Sequence, residues 1–166
     1  MVNKFFCLRN FPDLDSKYIE EGLNGKYNQN FKPHVFRSWC TYDESDFAKE
    51  LKFKFVNVRS TWLMNPPWTL YDWHTDVGRS CSINIPIKMP DRAAAYVKDQ
   101  LVPEIKTKYF KLTEVEYILN KPTILNVSQE HCVVNPTNET RIILSISFEG
   151  DVKYEDILNY LRLRSD

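Results

Sequence analysis

The sequence predicts a mainly β, β-rich α+β protein: a sandwich or barrel of short strands with flanking N-terminal and C-terminal helices. Three observations point there. Between positions 53 and 148 the chain breaks into short runs rich in Val, Ile, Phe, Tyr and Trp, separated by Pro, Asn and Asp. The first 52 residues instead read as helical and irregular. Near the end, Tyr154, Ile157, Leu158 and Leu161 recur at i, i+3, i+4 and i+7, a stripe that would pack one helix face on a sheet.

Taken in order, a short amphipathic helix is expected over 16–23, a break at Pro33, and a helix opening near Ser45 and running through Phe47 to Leu51. Strands are expected at 53–58, 62–64, 69–74, 80–87, 94–97, 109–112, 115–119, 123–126, 131–134 and 141–148. Many short strands with turn signals between them are the signature of a sandwich or barrel. A helix over 152–164 closes the chain. With 166 residues, no repeats and no linker, a single domain over 1–166 is expected, its core at 53–148 and a flank at 1–52.

Composition narrows the function. At 43% hydrophobic and 14% aromatic residues the chain is too apolar for disorder. Its 22 basic residues balance 22 acidic ones, which disfavours a surface built to neutralise many phosphates, so no nucleic-acid partner is expected. Only Gly22, Gly25, Gly78 and Gly150 occur, leaving neither a Walker A loop nor a GxGxxG turn. There is no 18-residue apolar run and no signal-peptide core, so the expectation is cytoplasmic, with no membrane partner. Cys7, Cys40, Cys81 and Cys132 form no CxxC pair and are expected as free thiols, those at 81 and 132 buried.

One constellation carries chemistry. In an extended segment His74 and Asp76, at i and i+2, point to the same face and can bind one metal. His131, from a distant strand, would complete the set. Two imidazoles and a carboxylate on one side of a metal leave three positions open, the arrangement of non-haem Fe(II) oxygenases. Ten residues after His131, Arg141 opens the run Arg-Ile-Ile-Leu-Ser-Ile-Ser-Phe. Its planar fork suits a carboxylate held at a fixed distance from the metal. Arg141, Ile143, Ser145 and Ser147 would share one face, and the turn-forming Asn135-Pro136-Thr137-Asn138 places His131 and Arg141 on adjacent hairpin strands. By the same alternation Tyr71 and Trp73 would face away from His74 and pack outside the barrel. Arg79, just past Gly78, could bind a substrate or co-substrate carboxylate or remain at the surface. Asn126 and Ser145 are candidates to hydrogen-bond a ligand or water.

These motifs resemble the Fe(II)/2-oxoglutarate-dependent dioxygenase superfamily, and within it most the aspartyl/asparaginyl β-hydroxylase-like branch. The resemblance rests on His74-Thr75-Asp76, Arg79, Ile83-Asn84-Ile85-Pro86-Ile87, Lys121-Pro122-Thr123-Ile124-Leu125-Asn126, Glu130-His131 and Arg141-Ile142-Ile143-Leu144, within residues 60–148. It implies a double-stranded β-helix, a jelly-roll, cupin-like barrel whose mouth holds Fe(II) on His74, Asp76 and His131. It further implies 2-oxoglutarate as co-substrate, its distal carboxylate on Arg141, with Asn84 where the branch places a polar residue facing it. With dioxygen, such an enzyme hydroxylates a small molecule, an amino acid or a peptide side chain and releases succinate and CO2. Well-known animal members of that branch carry glycine where this chain has Asp76, so the resemblance extends to reaction type and not to aspartyl or asparaginyl specificity. The alternative is a catalytically silent cupin-like metal-binding or structural module; a nucleic-acid dealkylase fits least, since Arg141 is followed directly by Ile142 and Ile143. Oligomeric state is open.

Overall fold

A computed structural model describes residues 4–32, 34–98 and 111–163. The N-terminal part supplies β1 (Phe5–Cys7), α1 (Ser16–Leu23), β2 (Gln29–Lys32), β3 (Val35–Ser38), a 3-10 turn at Tyr42–Glu44 and α2 (Asp46–Lys54). Eight strands follow: β4 (Val58–Asn65), β5 (Thr69–His74), β6 (Cys81–Lys88), β7 (Ala94–Lys98), β8 (Leu112–Glu114), β9 (Thr123–Asn126), β10 (His131–Asn135) and β11 (Arg141–Phe148). Helix α3 (Tyr154–Arg162) ends the described chain.

These eight strands pair as nested antiparallel partners, β4 with β11, β5 with β10, β6 with β9 and β7 with β8. Nesting of this kind folds one long hairpin into two facing sheets. One sheet runs β1-β9-β6-β11-β4-β3-β2 and the other β5-β10-β7-β8. The result is a double-stranded β-helix, with β1 on one edge of the larger sheet and the β2/β3 hairpin on the other.

Period-two alternation on the larger sheet separates a packing face from a chemical face. On β11, Ile142, Leu144, Ile146 and Phe148 join the main core, whereas Arg141, Ile143 and Ser145 line the barrel cavity. Strand β6 repeats the pattern, with Cys81, Ile83, Ile85 and Ile87 in the core and Ser82 and Asn84 in the cavity. The three helices close over the packing face. Tyr18, Ala48, Leu51, Tyr154, Ile157, Leu158 and Leu161 are buried there against Trp62 and the strand residues. Each of the leucine and isoleucine side chains among them contributes about 1.5–3 kcal/mol relative to exposure. Local signals fix the helix starts: the Asp15 carboxylate accepts from Lys17 N (2.9 Å), and Ser45 Oγ accepts from Ala48 N (3.1 Å). Gly22 brings α1 close to the sheet, since a Cβ there would lie 2.5 Å from Ile87 Cδ1 and 2.8 Å from the Trp62 ring.

Several expectations are corrected. The first 52 residues are not only helical and irregular: β1, β2 and β3 extend the larger sheet. The run at 53–58 is not a strand, because α2 continues to Lys54 and β4 starts at Val58. Lysines at 52 and 54 suit a helix C-terminus, and Phe53 is 93% exposed, so its aromatic character was no sign of a buried strand. Of the expected strand at 109–112, positions 109 and 110 lie outside the described residues, and Leu112 opens β8. Residues 115–119 form a loop.

Strands β10 and β11 are not hairpin neighbours but belong to opposite sheets. The segment between them crosses the barrel end beside the β4–β5 crossover. Asn135 ties the two together, its Nδ2 donating to the carbonyls of Asn65 (3.2 Å), Pro66 (2.9 Å) and Glu139 (2.8 Å). No helix among the described residues is long and apolar enough to cross a membrane.

Candidate metal centre

His74 ends β5, His131 begins β10, and the two are direct cross-strand partners. Their ring centroids are 4.2 Å apart. Asp76 follows in a turn whose backbone is held by Asp76 N donating to Val127 O (3.0 Å). One ligand atom from each of His74, Asp76 and His131 lies within 4.8 Å of the others, and His74 Nε2 is 3.8 Å from Asp76 Oδ1.

The backbone sets the tautomers. His74 Nδ1 sits 2.6 Å from the Asp72 carbonyl and His131 Nδ1 2.9 Å from the Gln129 carbonyl. A carbonyl only accepts, so Nδ1 of each ring carries the proton and Nε2 keeps a lone pair for a metal. Burial, the largest influence on His131, lowers its pKa below the ordinary histidine value, which favours the neutral ligand form.

The triad stands in a partly open cavity between the two sheets. Arg141 lies in the same cavity, 1% exposed. Its Nη1 donates to Oδ1 of Asn65, its cross-strand partner, at 2.8 Å, and the guanidinium carbon lies 5.5 Å from the centroid of the Tyr117 ring. Nε and Nη2 are buried with no partner in hydrogen-bond geometry, although the Tyr117 side chain lies close enough to favour the charged form. Burial pulls the Arg141 pKa downward, yet arginine stays cationic in proteins. A buried cation with two idle donors is costly unless an anion meets it. A carboxylate entering the cavity would satisfy both.

Ser145 and Asn84 are cross-strand partners and both line the cavity. Asn84 Nδ2 donates to the Tyr117 hydroxyl at 3.2 Å, while its buried Oδ1 has no partner. Arg79 also borders the cavity, but its Nε and Nη2 reach Asp76 Oδ2 at 2.9 and 2.8 Å, so the carboxylate it binds is the chain's own. Asn126 is not brought to the cavity wall. Its Oδ1 accepts from Ser128 N (3.3 Å) and Ser128 Oγ (2.5 Å).

Tyr71 does not face away from His74. A β-bulge shifts the β5/β10 register between His131 and Val133, so three residues of β5 span what two of β10 span. Tyr71 thereby turns to the cavity, its ring centroid 3.9 Å from that of His74. Asn65 and Tyr117 also belong to the site, and sequence reading missed them. Alternation along β4 was the available signal for Asn65; Tyr117 sits in a loop and offered none. All four cysteines are free thiols, with Cys40, Cys81 and Cys132 buried.

No family model matches the sequence, and no curated protein matches it. Solved structures do. A prolyl hydroxylase from Trichoplax adhaerens, in complex with a hypoxia inducible factor oxygen degradation domain peptide fragment, superposes with a TM-score of 0.63 at 13% identity, covering 94% of this chain and 87% of that one. A Pseudomonas putida prolyl-4-hydroxylase gives 0.58 at 12% identity over 90% of this chain and 94% of that one. An oxidoreductase of the 2OG-Fe(II) oxygenase family from Burkholderia pseudomallei gives 0.60 at 8% identity over 88% and 84%. The chain shares the double-stranded β-helix fold of these structures. At 8–13% identity the likeness is one of architecture, and within that fold this chain places two imidazoles and a carboxylate on one side of a point that a divalent cation can occupy.

Proposed function

We propose that this chain is a non-haem Fe(II)- and 2-oxoglutarate-dependent dioxygenase that hydroxylates a small molecule, an amino acid or a peptide side chain, releasing succinate and CO2. The observation that carries the reading is Arg141: a fully buried guanidinium with two nitrogens, Nε and Nη2, outside any hydrogen-bond geometry, in the same cavity as a complete His-Asp-His set. Metal binding alone would not call for such a residue.

Nε2 of His74, Nε2 of His131 and Asp76 Oδ1 would hold the metal. When bound, Fe(II) supplies dioxygen activation coupled to oxidative decarboxylation of the 2-oxo acid. Every other role falls to the chain. The Asp72 and Gln129 carbonyls orient the imidazoles. Arg141, steadied by Asn65, would grip the distal carboxylate of 2-oxoglutarate with Nε and Nη2. Ser145 and Asn84 would add polar contacts beside it. Leu63, Leu125, Val133 and Ile143 make the remaining wall apolar, which limits water around the reacting groups.

The motif likeness to the aspartyl/asparaginyl β-hydroxylase-like branch supports kinship there. As to the acceptor, one neighbour in fold holds a peptide fragment, and HygX from Streptomyces hygroscopicus holds nickel, 2-oxoglutarate and hygromycin B, with a TM-score of 0.60 at 12% identity. That breadth supports a peptide or small-molecule acceptor and singles out neither. Anaerobic addition of Fe(II) and 2-oxoglutarate should develop a visible charge-transfer band that His74→Ala abolishes. Succinate release across a panel of amino acids, peptides and small molecules would then identify the acceptor class. No band at saturation and no succinate would leave a silent cupin-like module.

A further inference from the structure

We infer that Arg79 is a positioning residue for Asp76, restraining its carboxylate to one-point coordination so that three metal positions stay open. The inference deepens the reading of His74, Asp76 and His131 as a metal centre and rests on it. A bare ion pair at i and i+3 would be an ordinary turn feature, and three observations distinguish this one.

The pair is not a solvated surface contact: the side chains of Arg79 and Asp76 are only 19% and 13% exposed. Its geometry is also lopsided. An arginine and a carboxylate left to themselves favour a fork-to-fork arrangement, one N–H to each oxygen. Here Nε and Nη2 both converge on Oδ2, and Oδ1 is left on the His74 side, 3.8 Å from Nε2. Finally, the turn that sets this geometry is anchored at both ends. Asp76 N donates to Val127 O at 3.0 Å, and Gly78 O accepts from Gly150 N at 3.2 Å, with Gly78 at φ +78° in the left-handed region that glycine tolerates.

Coordination counting gives the consequence. Two imidazoles and one carboxylate oxygen would leave three positions of a six-coordinate metal open to a chelating 2-oxo acid and a further ligand. A carboxylate that swung to two-point binding would take one of them. By occupying Oδ2 with two donors, Arg79 opposes that swing and fixes the orientation of the anionic ligand.

Co(II) is a suitable probe, because its visible d–d bands report coordination number independently of turnover. Arg79→Gln, which keeps polarity but removes the charge and the fork, should weaken Co(II) binding by about 10–100-fold, the range for loss of an outer-shell partner. It should also change the shape and intensity of the Co(II) bands, and weaken 2-oxoglutarate binding to the Co(II)-loaded protein. Arg79→Lys should recover part of the affinity through its charge without restoring the wild-type spectrum. Circular dichroism of the metal-free variants establishes that they are folded, and if Arg79→Gln is not, Arg79→Lys carries the test through its spectrum. If both variants bind Co(II) with wild-type affinity and an unchanged spectrum, the assignment of Arg79 is overturned while the metal centre stands. A wild-type protein that binds no Co(II) overturns the centre and this assignment with it.

Discussion

His74 and His131 face one another across the β5/β10 ladder, with ring centroids 4.2 Å apart, although 57 positions separate them in the chain. Strand register therefore builds the site, and a one-residue slip would turn one imidazole to the opposite face. Because the rings are pre-paired and each Nδ1 is fixed by a carbonyl, little ordering remains for a metal to impose.

A metal that binds such a preformed site should raise stability by mass action. At a free concentration one hundred times Kd, a divalent ion that ignores the unfolded chain adds about 2.7 kcal/mol. For a domain of this size that corresponds to a Tm rise of roughly 5–10 °C. Differential scanning fluorimetry with Ni(II) or Mn(II) should show it in the wild type. His131→Ala should remove the rise, and a variant that keeps it would place the metal elsewhere.

Arg141 makes an opposite prediction for the protein without ligand. Its buried cation has Asn65 as a neutral partner and two idle donors. Replacing a whole buried ion pair by apolar side chains of similar volume is commonly neutral or stabilising, by about 1–4 kcal/mol, and a buried cation that has no anionic partner has still less attraction to lose. Arg141→Met should thus leave ligand-free stability unchanged or higher in urea unfolding, and should show none of the stabilisation that the proposed function expects 2-oxoglutarate to give the metal-loaded wild type. Strong destabilisation of the ligand-free variant would show that Arg141 serves the fold and not a bound carboxylate.

Strict alternation made part of this site legible. Along β11 no bulge interrupts positions 141 to 147 on the β4 side, so Arg141, Ile143 and Ser145 could be assigned one face from the sequence. His74 and Asp76 could be paired because their spacing is local. Tyr71 could not, since the bulge that turns it inward depends on the partner strand. Alternation along β4 could put Asn65 on the face of Leu63, but its meeting with Arg141 depends on a β4/β11 pairing that spans 76 positions, which no local pattern encodes. The strands β1, β2 and β3 escaped notice because three or four residues carry too little periodicity to separate an edge strand from a loop. Assigning β10 and β11 to one hairpin failed for a topological reason: in a nested barrel, consecutive strands joined by a short turn can lie in different sheets.

The bulge has its own test. The Tyr71 ring packs on His74 with centroids 3.9 Å apart and planes tilted by 38°, and an aromatic contact of this kind is worth about 0.5–1.5 kcal/mol beyond area burial. If this contact holds the His74 ring in place, Tyr71→Ala should weaken metal binding by roughly 2–13-fold, the same energy expressed as a ratio. Tyr71→Phe keeps the ring and should bind metal as the wild type does. Calorimetric titration of both variants decides it, and equal loss in both would shift the role from the ring to the hydroxyl.

Outside the candidate metal centre, Cys40 links burial to alkaline stability. Burial, the dominant cause, pushes its thiol pKa up to about 12, and Tyr42, which it contacts, is likewise pushed up to about 12. In the unfolded chain a thiol titrates near 8.5 and a phenol near 10. Between those values and 12 the folded state holds protons that the unfolded state has released. Stability must then fall as pH rises through that window, since the native state binds more protons than the unfolded one. Urea midpoints measured from pH 8 to 11 should decline, and Cys40→Ala should make the decline shallower even if it lowers the midpoint at pH 8. The same burial predicts that a thiol reagent at pH 8 labels the half-buried Cys7 in the native protein, with Cys40, Cys81 and Cys132 reacting only after unfolding. Rapid native labelling at Cys40 would show that its pocket opens to solvent and would remove the basis for the pH dependence.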